Sequence, residues 1–454
     1  MSQPSAESPA VHPSFRQAFW FWLKLGFISF GGPTGQIAIM QTELVEKRRW
    51  IDEPRFLHAL NYCMLLPGPE AQQLATYVGW LLHGKWGGIV AGSLFVLPSA
   101  VLLWVLSYVY VRHGDVTWIA SLFDGLKPAV AAIVAFAVWR IGRRALKNPV
   151  MWSVAALAFV AIYFFEAPFP AIIASAALIG LVGGRVAKKF FVVIQGHGGR
   201  QSERTRDKDS APVDGSSALH DSKTSPSLVR ALKVLLVCGA LWISPVLLVG
   251  WSLGFDSTSF QEGVFFSKAA LVTFGGAYAV LPYVAQQAVE NFEWLSSAQM
   301  LDGLGLAETT PGPLIMVLQF VGFLGGYHHP GSLEPLSAAT LGAAITTWTT
   351  FLPCFLFIFL GAPYVERLRE RERLSAVLST ITASVVGVVL NLAVWFALEV
   401  LMPVRTSSAG EVVRGIDFYN VAVAAISLVL LLRFKVGVIP LVLGAALLGI
   451  LRGC

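Results

Sequence analysis

Apolar residues in this chain come in long blocks, not in strict alternation or narrow amphipathic stripes. Trp86 to Val111, Ser337 to Leu360 and Leu374 to Val400 are each broken by only an occasional polar residue. About 20 helical residues cross a hydrocarbon core ~30 Å thick, so each block predicts a membrane-spanning helix. Shorter apolar runs lie between them. Phe19 to Phe30, Leu57 to Leu66 and Leu74 to Leu82 reach about half that distance at ~1.5 Å per residue. Gly31-Gly32-Pro33 and Pro67-Gly68-Pro69 stand at their junctions, where a continuous helix is broken. The pattern predicts two re-entrant hairpins with these residues at their tips.

The same plan then recurs. Lys24 to Pro33 reads K-L-G-F-I-S-F-G-G-P, and Lys268 to Ala277 reads K-A-A-L-V-T-F-G-G-A, 244 positions later. Without a gap, the same spacing pairs Glu46 with Glu290, Trp50 with Trp294, and Pro67-Gly68-Pro69 with Pro311-Gly312-Pro313. Further on the spacing grows to 255, where Leu97-Pro98 answers Leu352-Pro353. An internal repeat of this kind defines the architecture. The expected organisation is a tail (1–15), a first repeat (16–194), a disordered cytoplasmic linker (195–227), a connecting transmembrane helix (228–252) and a second repeat (253–454). The linker expectation rests on its Ser, Asp, Lys and Arg content, which leaves too little apolar surface to bury.

Charge decides the orientation. The loop after the first hairpin carries Lys47-Arg48-Arg49, whereas its counterpart reads Asn291-Phe292-Glu293. Cytoplasmic loops are enriched in Lys and Arg, so the two equivalent loops are expected on opposite faces. Four full spans per repeat plus the connecting helix give the odd number of crossings this needs. The predicted fold class is therefore an all-α polytopic membrane protein of two inverted-topology repeats, a plan used by many secondary transporters.

Composition agrees and removes other classes. Only 13% of the 454 residues are charged, against about 25% in soluble domains. The net charge of +6 resides in short loops, so it reads as a topology signal and not as a nucleic-acid surface. The amino terminus lacks a cleavable secretory signal, and the first apolar segment is expected to remain as a membrane element. Cys63, Cys238, Cys354 and Cys454 are far apart, with neither zinc-ligand nor disulfide-frame spacing. No Walker motif, nucleophile elbow or H-E-x-x-H occurs. An enzyme is not expected, nor any cofactor or metal, and transport would draw on an ion gradient or the membrane potential.

The candidate chemistry lies at the broken elements. Non-helical backbone at membrane depth persists where it lines a cavity or is covered by protein. Half-helix N-termini direct unpaired N–H groups into such a cavity and form an anion site. The expected anion-binding residues are Gly31, Gly32, Gly68, Gln72 and Gln73 in the first repeat. The second repeat contributes Gly275, Gly276, Thr310 and Gly312. Lys24 and Lys268, at equivalent positions, could neutralise a dianion or could snorkel to the interface. Glu70 and Glu308 are the proton-coupling candidates, since desolvation favours their neutral forms; Glu70 could equally partner the helix dipole. Asp124 and Lys127 are expected to form an intrahelical ion pair, and His328-His329 a surface loop.

At these same motifs the chain resembles the chromate ion transporter family, long-chain type. The resemblance is carried by Phe30-Gly31-Gly32-Pro33, by Pro67-Gly68-Pro69-Glu70-Ala71-Gln72-Gln73-Leu74-Ala75 and by Gly79-Trp80-Leu81-Leu82-His83-Gly84. Phe95-Val96-Leu97-Pro98-Ser99 and Thr310-Pro311-Gly312-Pro313 add to it. It implies homologous halves of opposite orientation in a bacterial inner membrane. It also implies chromate efflux driven by the proton-motive force, conferring resistance. Uptake or exchange of sulfate, which has the same shape and charge, is the alternative. The expected partners are the oxyanion, protons, the lipid bilayer and, where the chain pairs, a second copy in a homodimer. Ala277 stands where the first repeat has Pro33, and Leu314 where it has Glu70, so the two half-sites are not equivalent.

Overall fold

The computed structural model describes residues 12–30, 32–114, 116–191, 228–362, 372–406 and 412–453. Gly31, most of the amino-terminal tail, the 195–227 linker, Cys454 and much of the Arg367–Arg373 basic cluster lie outside the described residues.

The first series opens with α1 (Phe15–Ile28), α2 (Gly32–Gln41), a π-helical turn (Thr42–Lys47) and α3 (Glu53–Cys63). It continues through α4 (Glu70–His113), α5 (Thr117–Ala145), α6 (Pro149–Phe165), α7 (Phe169–Val186) and the short α8 (Lys188–Phe191). After α9 (Leu228–Leu253) the order begins again. Here α10 (Thr258–Val272), α11 (Ala277–Gln286), a second π-helical turn (Gln287–Asn291) and α12 (Ser297–Thr309) follow one another. A 3-10 turn (Leu314–Met316) leads into α13 (Val317–His328), followed by α14 (Pro335–Gly361) and α15 (Glu372–Leu401). A small antiparallel hairpin, β1 (Val404–Thr406) with β2 (Val412–Arg414), precedes α16 (Phe418–Leu432) and α17 (Val438–Gly453). That hairpin aside, the fold is all-α, as expected.

Equivalent positions adopt equivalent local structure. Asp52 caps α3 by accepting from the Arg55 amide at 2.8 Å. Ser296, 244 positions later, caps α12 in a capping box with Gln299. Both devices satisfy amides that a helix start leaves without a partner. The residues just after the two π-helical turns, Arg49 and Glu293, both take positive φ, at 51° and 52°. The span α4 is interrupted where the expected half-helix ends. His83 (φ −135°) and Gly84 (φ 64°) break its dihedrals, so α4 is two limbs folded at that point. The fold brings Gly79 onto Gly87 so closely that a Cβ on either would meet the other's carbonyl oxygen.

Among the described residues six helices, α4, α5, α7, α9, α14 and α15, are long and apolar enough to cross a membrane. Leu235, Leu236, Ile243, Leu247, Leu248 and Trp251 of α9 are all exposed. So large an apolar patch marks an interaction surface when it appears on a soluble protein, and on lipid it carries no cost. Inside, small residues let backbones approach, as is usual between membrane helices. Gly125 of α5 meets Gly449 of α17, and Gly322 of α13 meets Gly342 of α14. The helix α15 packs on α5, α6 and α7, while α14 spans α13, α10, α9 and α4.

Candidate functional site

The broken ends of α1, α3, α10 and α12 converge. The Gly68 amide donates to the Thr273 carbonyl at 2.7 Å, and the Gly312 amide donates to the Ser29 carbonyl, also at 2.7 Å. Gly68 and Gly312 are 244 positions apart, as are Ser29 and Thr273. Each series therefore holds the other by the same backbone bond. A Cβ on Gly276 would come within 4.0 Å of Pro33, so the two Gly-Gly tips also lie side by side. Phe30 and Phe274 make matching bonds back to Ile28 and Val272, at 3.0 and 3.1 Å.

Each crossing is lined by a small side chain from the helix that follows. Ser99 lies over Gly312, and Cys354 lies over Gly68, two residues 255 positions apart. Gln36, fully buried on α2, donates from Nε2 to the Gly312 carbonyl at 2.5 Å and to the Ser29 carbonyl at 3.3 Å. Gln73 donates to the Pro67 carbonyl at 2.7 Å. Several buried polar atoms remain without a hydrogen-bond partner: Ser29 Oγ, Ser99 Oγ, Thr350 Oγ1, and both amide atoms of Gln72. Buried polar groups are satisfied in the great majority of cases, so a concentration of unsatisfied ones is informative. At the Gly-Gly tips a Cβ on Gly32 or Gly275 would touch nothing, so the backbone there can be approached closely. The α4 start at Pro69 and the α11 start at Gly276 both lack a side-chain cap, which leaves first-turn amides available.

The structure gathers Gly32, Gly68, Gln72, Gln73, Gly275, Gly276 and Gly312 around the crossings. The amides of Gly68 and Gly312, however, are spent on the backbone bonds between the two series, so those glycines serve by conformation (φ 116° and 107°) and not as free donors. The Thr310 hydroxyl is likewise spent, on the Ala307 carbonyl at 3.2 Å. Glu70 is half-buried at the first position of α4. Glu308 is buried and accepts from the Tyr278 hydroxyl of α11.

Lys24 and Lys268 are not brought to the tips. Both are exposed; Lys24 shares a stripe of α1 with exposed Trp20, Phe27 and Ile28, and Lys268 lies one turn from exposed Leu271. The buried face of α1 is instead Phe21, Trp22 and Leu25. Helical rotation thus turns both lysines outward, the position of a snorkelling side chain. Lys127 Nζ and Asp124 Oδ1 pair at 2.6 Å as expected. His328 and His329 face the Trp294 and Glu293 carbonyls at 2.8 and 3.1 Å, and among the described residues no group of His, Cys, Asp and Glu is arranged to hold a metal.

Sequence reasoning missed Ser29, Gln36, Ser99 and Cys354. The repeat itself held the signal for three of them. Ser29 answers Thr273 and Ser99 answers Cys354, so each pair places a small polar side chain at one position of both series.

Comparison with known proteins agrees with this geometry. The chromate transporter family model matches residues 16–181 and 260–450, one block in each series. A chromate transport protein of Cupriavidus metallidurans is 27% identical over 96% of this chain and 93% of its own. One from Pseudomonas aeruginosa is 32% identical over 85% and 82%. An uncharacterized transporter of Bacillus subtilis is 29% identical over 69% of its own length but only 30% of this chain, so a relative less than half as long exists. No solved structure matches. The chain belongs to the chromate transporter family, a family of multi-pass membrane transporters and not of enzymes.

Proposed function

We propose that this protein exports chromate across the bacterial inner membrane in exchange for protons, with the oxyanion held where the four broken ends converge. The observation that carries the reading is the reciprocal pair Gly68–Thr273 and Gly312–Ser29, beside which buried hydroxyls and the Gln72 amide lack partners. Hydroxyl and amide donors and uncapped helix starts suit a tetrahedral dianion. Expulsion from a negative cytoplasm favours a dianion by about 2.3 kcal/mol per charge per 100 mV.

The two repeats face opposite sides in this reading, and contacts support it. His83, at the bend of α4, lies 3.0 Å from the Pro13 carbonyl and beside Phe15. Arg48 and Trp50 pack on Phe21 of the same helix. The loop 47–50 thus belongs to the His83 end of α4. The second limb of α4 then runs to His113, about 43 Å away at ~1.5 Å per residue. At that far end, Ala298 and Leu301 of α12 share a cavity with Asp124 of α5, which supports a position for the loop 291–296 opposite its counterpart. Cysteines placed at Arg49 and Glu293 should accordingly react with an impermeant maleimide from opposite faces of the membrane. Labelling of both from one face would refute the inverted arrangement.

Chromate flux into everted vesicles tests the function. Saturable accumulation, collapsed by a protonophore, is the expected result. Non-saturable conductance would make the protein a channel, and full competition by equimolar sulfate would move the assignment to sulfate exchange. The Lys24→Ala, Lys268→Ala double variant should keep flux within about twofold, since outward-facing charges contribute little.

A further inference from the structure

A cavity of about 450 Å³ opens where α5, α12 and α15 to α17 meet, away from the tips. Asp124, Lys127, Glu399, Asp417 and Arg452 line it. Asp302 stands behind Lys127, with Oδ1 4.0 Å from Nζ. Four carboxylates thus face two cations. A dianion is repelled from such a lining and a cation is drawn to it, so the cavity does not suit the oxyanion's path.

Two carboxylates of this group are withdrawn from water, Asp302 at 4% and Asp417 at 8% exposure, and of these Asp417 is already paired with an arginine. Asp302 Oδ2 accepts from the Tyr110 hydroxyl of α4 at 2.9 Å, while its Oδ1 has no hydrogen-bond donor. Lys127 Nζ lies between two acids, 2.6 Å from the exposed Asp124 and 4.0 Å from Asp302. Arg452 is engaged with Asp417 at 3.4 Å, and Glu399 completes the wall on α15. On α13, which also packs against α12, His328 is occupied with the Trp294 carbonyl. An ammonium already fills the place where a metal ion would bridge Asp124 and Asp302, and no described cluster supplies the several oxygen ligands such an ion requires. A proton needs only the free Oδ1.

The geometry points to Asp302 as the proton-binding group that couples transport, with the acidic cavity as its entrance and Lys127 as the tether that protonation releases. This rests on the function proposed above and names the group in it that takes the coupling ion. One proton from cavity water joins Oδ1 and neutralises the carboxylate. No other bond breaks, Tyr110 keeps its bond to Oδ2, and Lys127 is left to Asp124 alone. The ionic link between α12 and α5 is then lost. Six residues further along α12, about 9 Å, lies Glu308, and just beyond it the Thr310-Pro311-Gly312 tip. Loading of Asp302 is therefore transmitted to the oxyanion site through one short helix.

The test uses the full chain in proteoliposomes, with chromate as substrate and a pH-sensitive dye inside. Asp302→Asn should lower chromate accumulation driven by a pH gradient about tenfold or more, within the range of ordinary coupling between two ligands. Chromate–chromate exchange, which moves no net proton, should stay within about twofold of wild type in the same units. Asp302→Glu should restore the pH-driven component with a displaced pH profile, which a purely structural role would not produce. Undiminished pH-driven accumulation in Asp302→Asn, or accumulation driven by a sodium gradient alone, overturns the proposal. A second readout needs no chromate. In infrared difference spectra of the wild type stepped across pH, a buried carboxylic-acid band should appear and be missing in Asp302→Asn; an unchanged band overturns the assignment even if the protein carries another anion. Failure of wild-type chromate flux with that band present would sink the proposed substrate and not the proton site.

Discussion

Gly312→Val should abolish chromate flux, lowering it by about 100-fold or more, the loss expected when a site is misplaced by roughly 1 Å. Gly312 adopts φ 107°, a conformation that costs a side-chain-bearing residue about 1–2 kcal/mol. Any Cβ there would also strike Ser99, and overpacking a tight interior adds about 1–3 kcal/mol. Relief of the clash would draw the Gly312 amide away from the Ser29 carbonyl, and that bond is one of the two joining the tips. Gly331→Ala is the control. Gly331 also has positive φ (62°), but open space surrounds it, so its substitution should cost about 1 kcal/mol and leave flux unchanged. Melting temperature and flux, measured together on both variants, separate the effects. Wild-type flux in Gly312→Val would remove the crossing from the site.

Sequence alone made the breaks legible because glycine and proline act through the backbone. Gly32, Gly68, Gly276 and Gly312 were readable as interruptions wherever they fell, and their common spacing declared the repeat. The crossing bonds were not readable, since the Ser29 and Thr273 carbonyls that accept them leave no mark on side-chain identity. Lys24 and Lys268 show a different limit. Their equivalence was plain, but equivalence does not fix rotation about the helix axis. In a helix as apolar as Phe19 to Phe30, no polar stripe contrasts with the buried face of Phe21, Trp22 and Leu25. The fold at His83–Gly84 was foreshadowed by Gly84. Both residues leave the helical region there, His83 at φ −135° and Gly84 at φ 64°, and the chain turns into a second limb packed on the first.

Gln36 offers the sharpest chemical discrimination at the site. Its Nε2 serves two carbonyls from opposite series, Ser29 and Gly312, and no other described side chain bridges them. Gln36→Leu keeps the approximate volume but leaves the Gly312 carbonyl without its donor, at about 1–3 kcal/mol when the acceptor stays buried, while the Ser29 carbonyl keeps the Gly312 amide. About tenfold to a hundredfold loss in flux is expected, since each 1.4 kcal/mol is a factor of ten. Gln36→Glu should be worse at neutral pH. A carboxylate there faces two carbonyl oxygens as an acceptor where a donor is needed, and it sets a negative charge beside the place proposed for a dianion, a juxtaposition that costs several kcal/mol. Acid should separate the two variants. Once protonated, the introduced carboxyl regains one O–H donor and loses its charge, so flux relative to wild type should rise as pH falls for Gln36→Glu and stay flat for Gln36→Leu. A Gln36→Glu variant that matches or exceeds Gln36→Leu at neutral pH would mean that the oxyanion binds elsewhere, because no dianion site tolerates an added carboxylate at its wall better than a leucine.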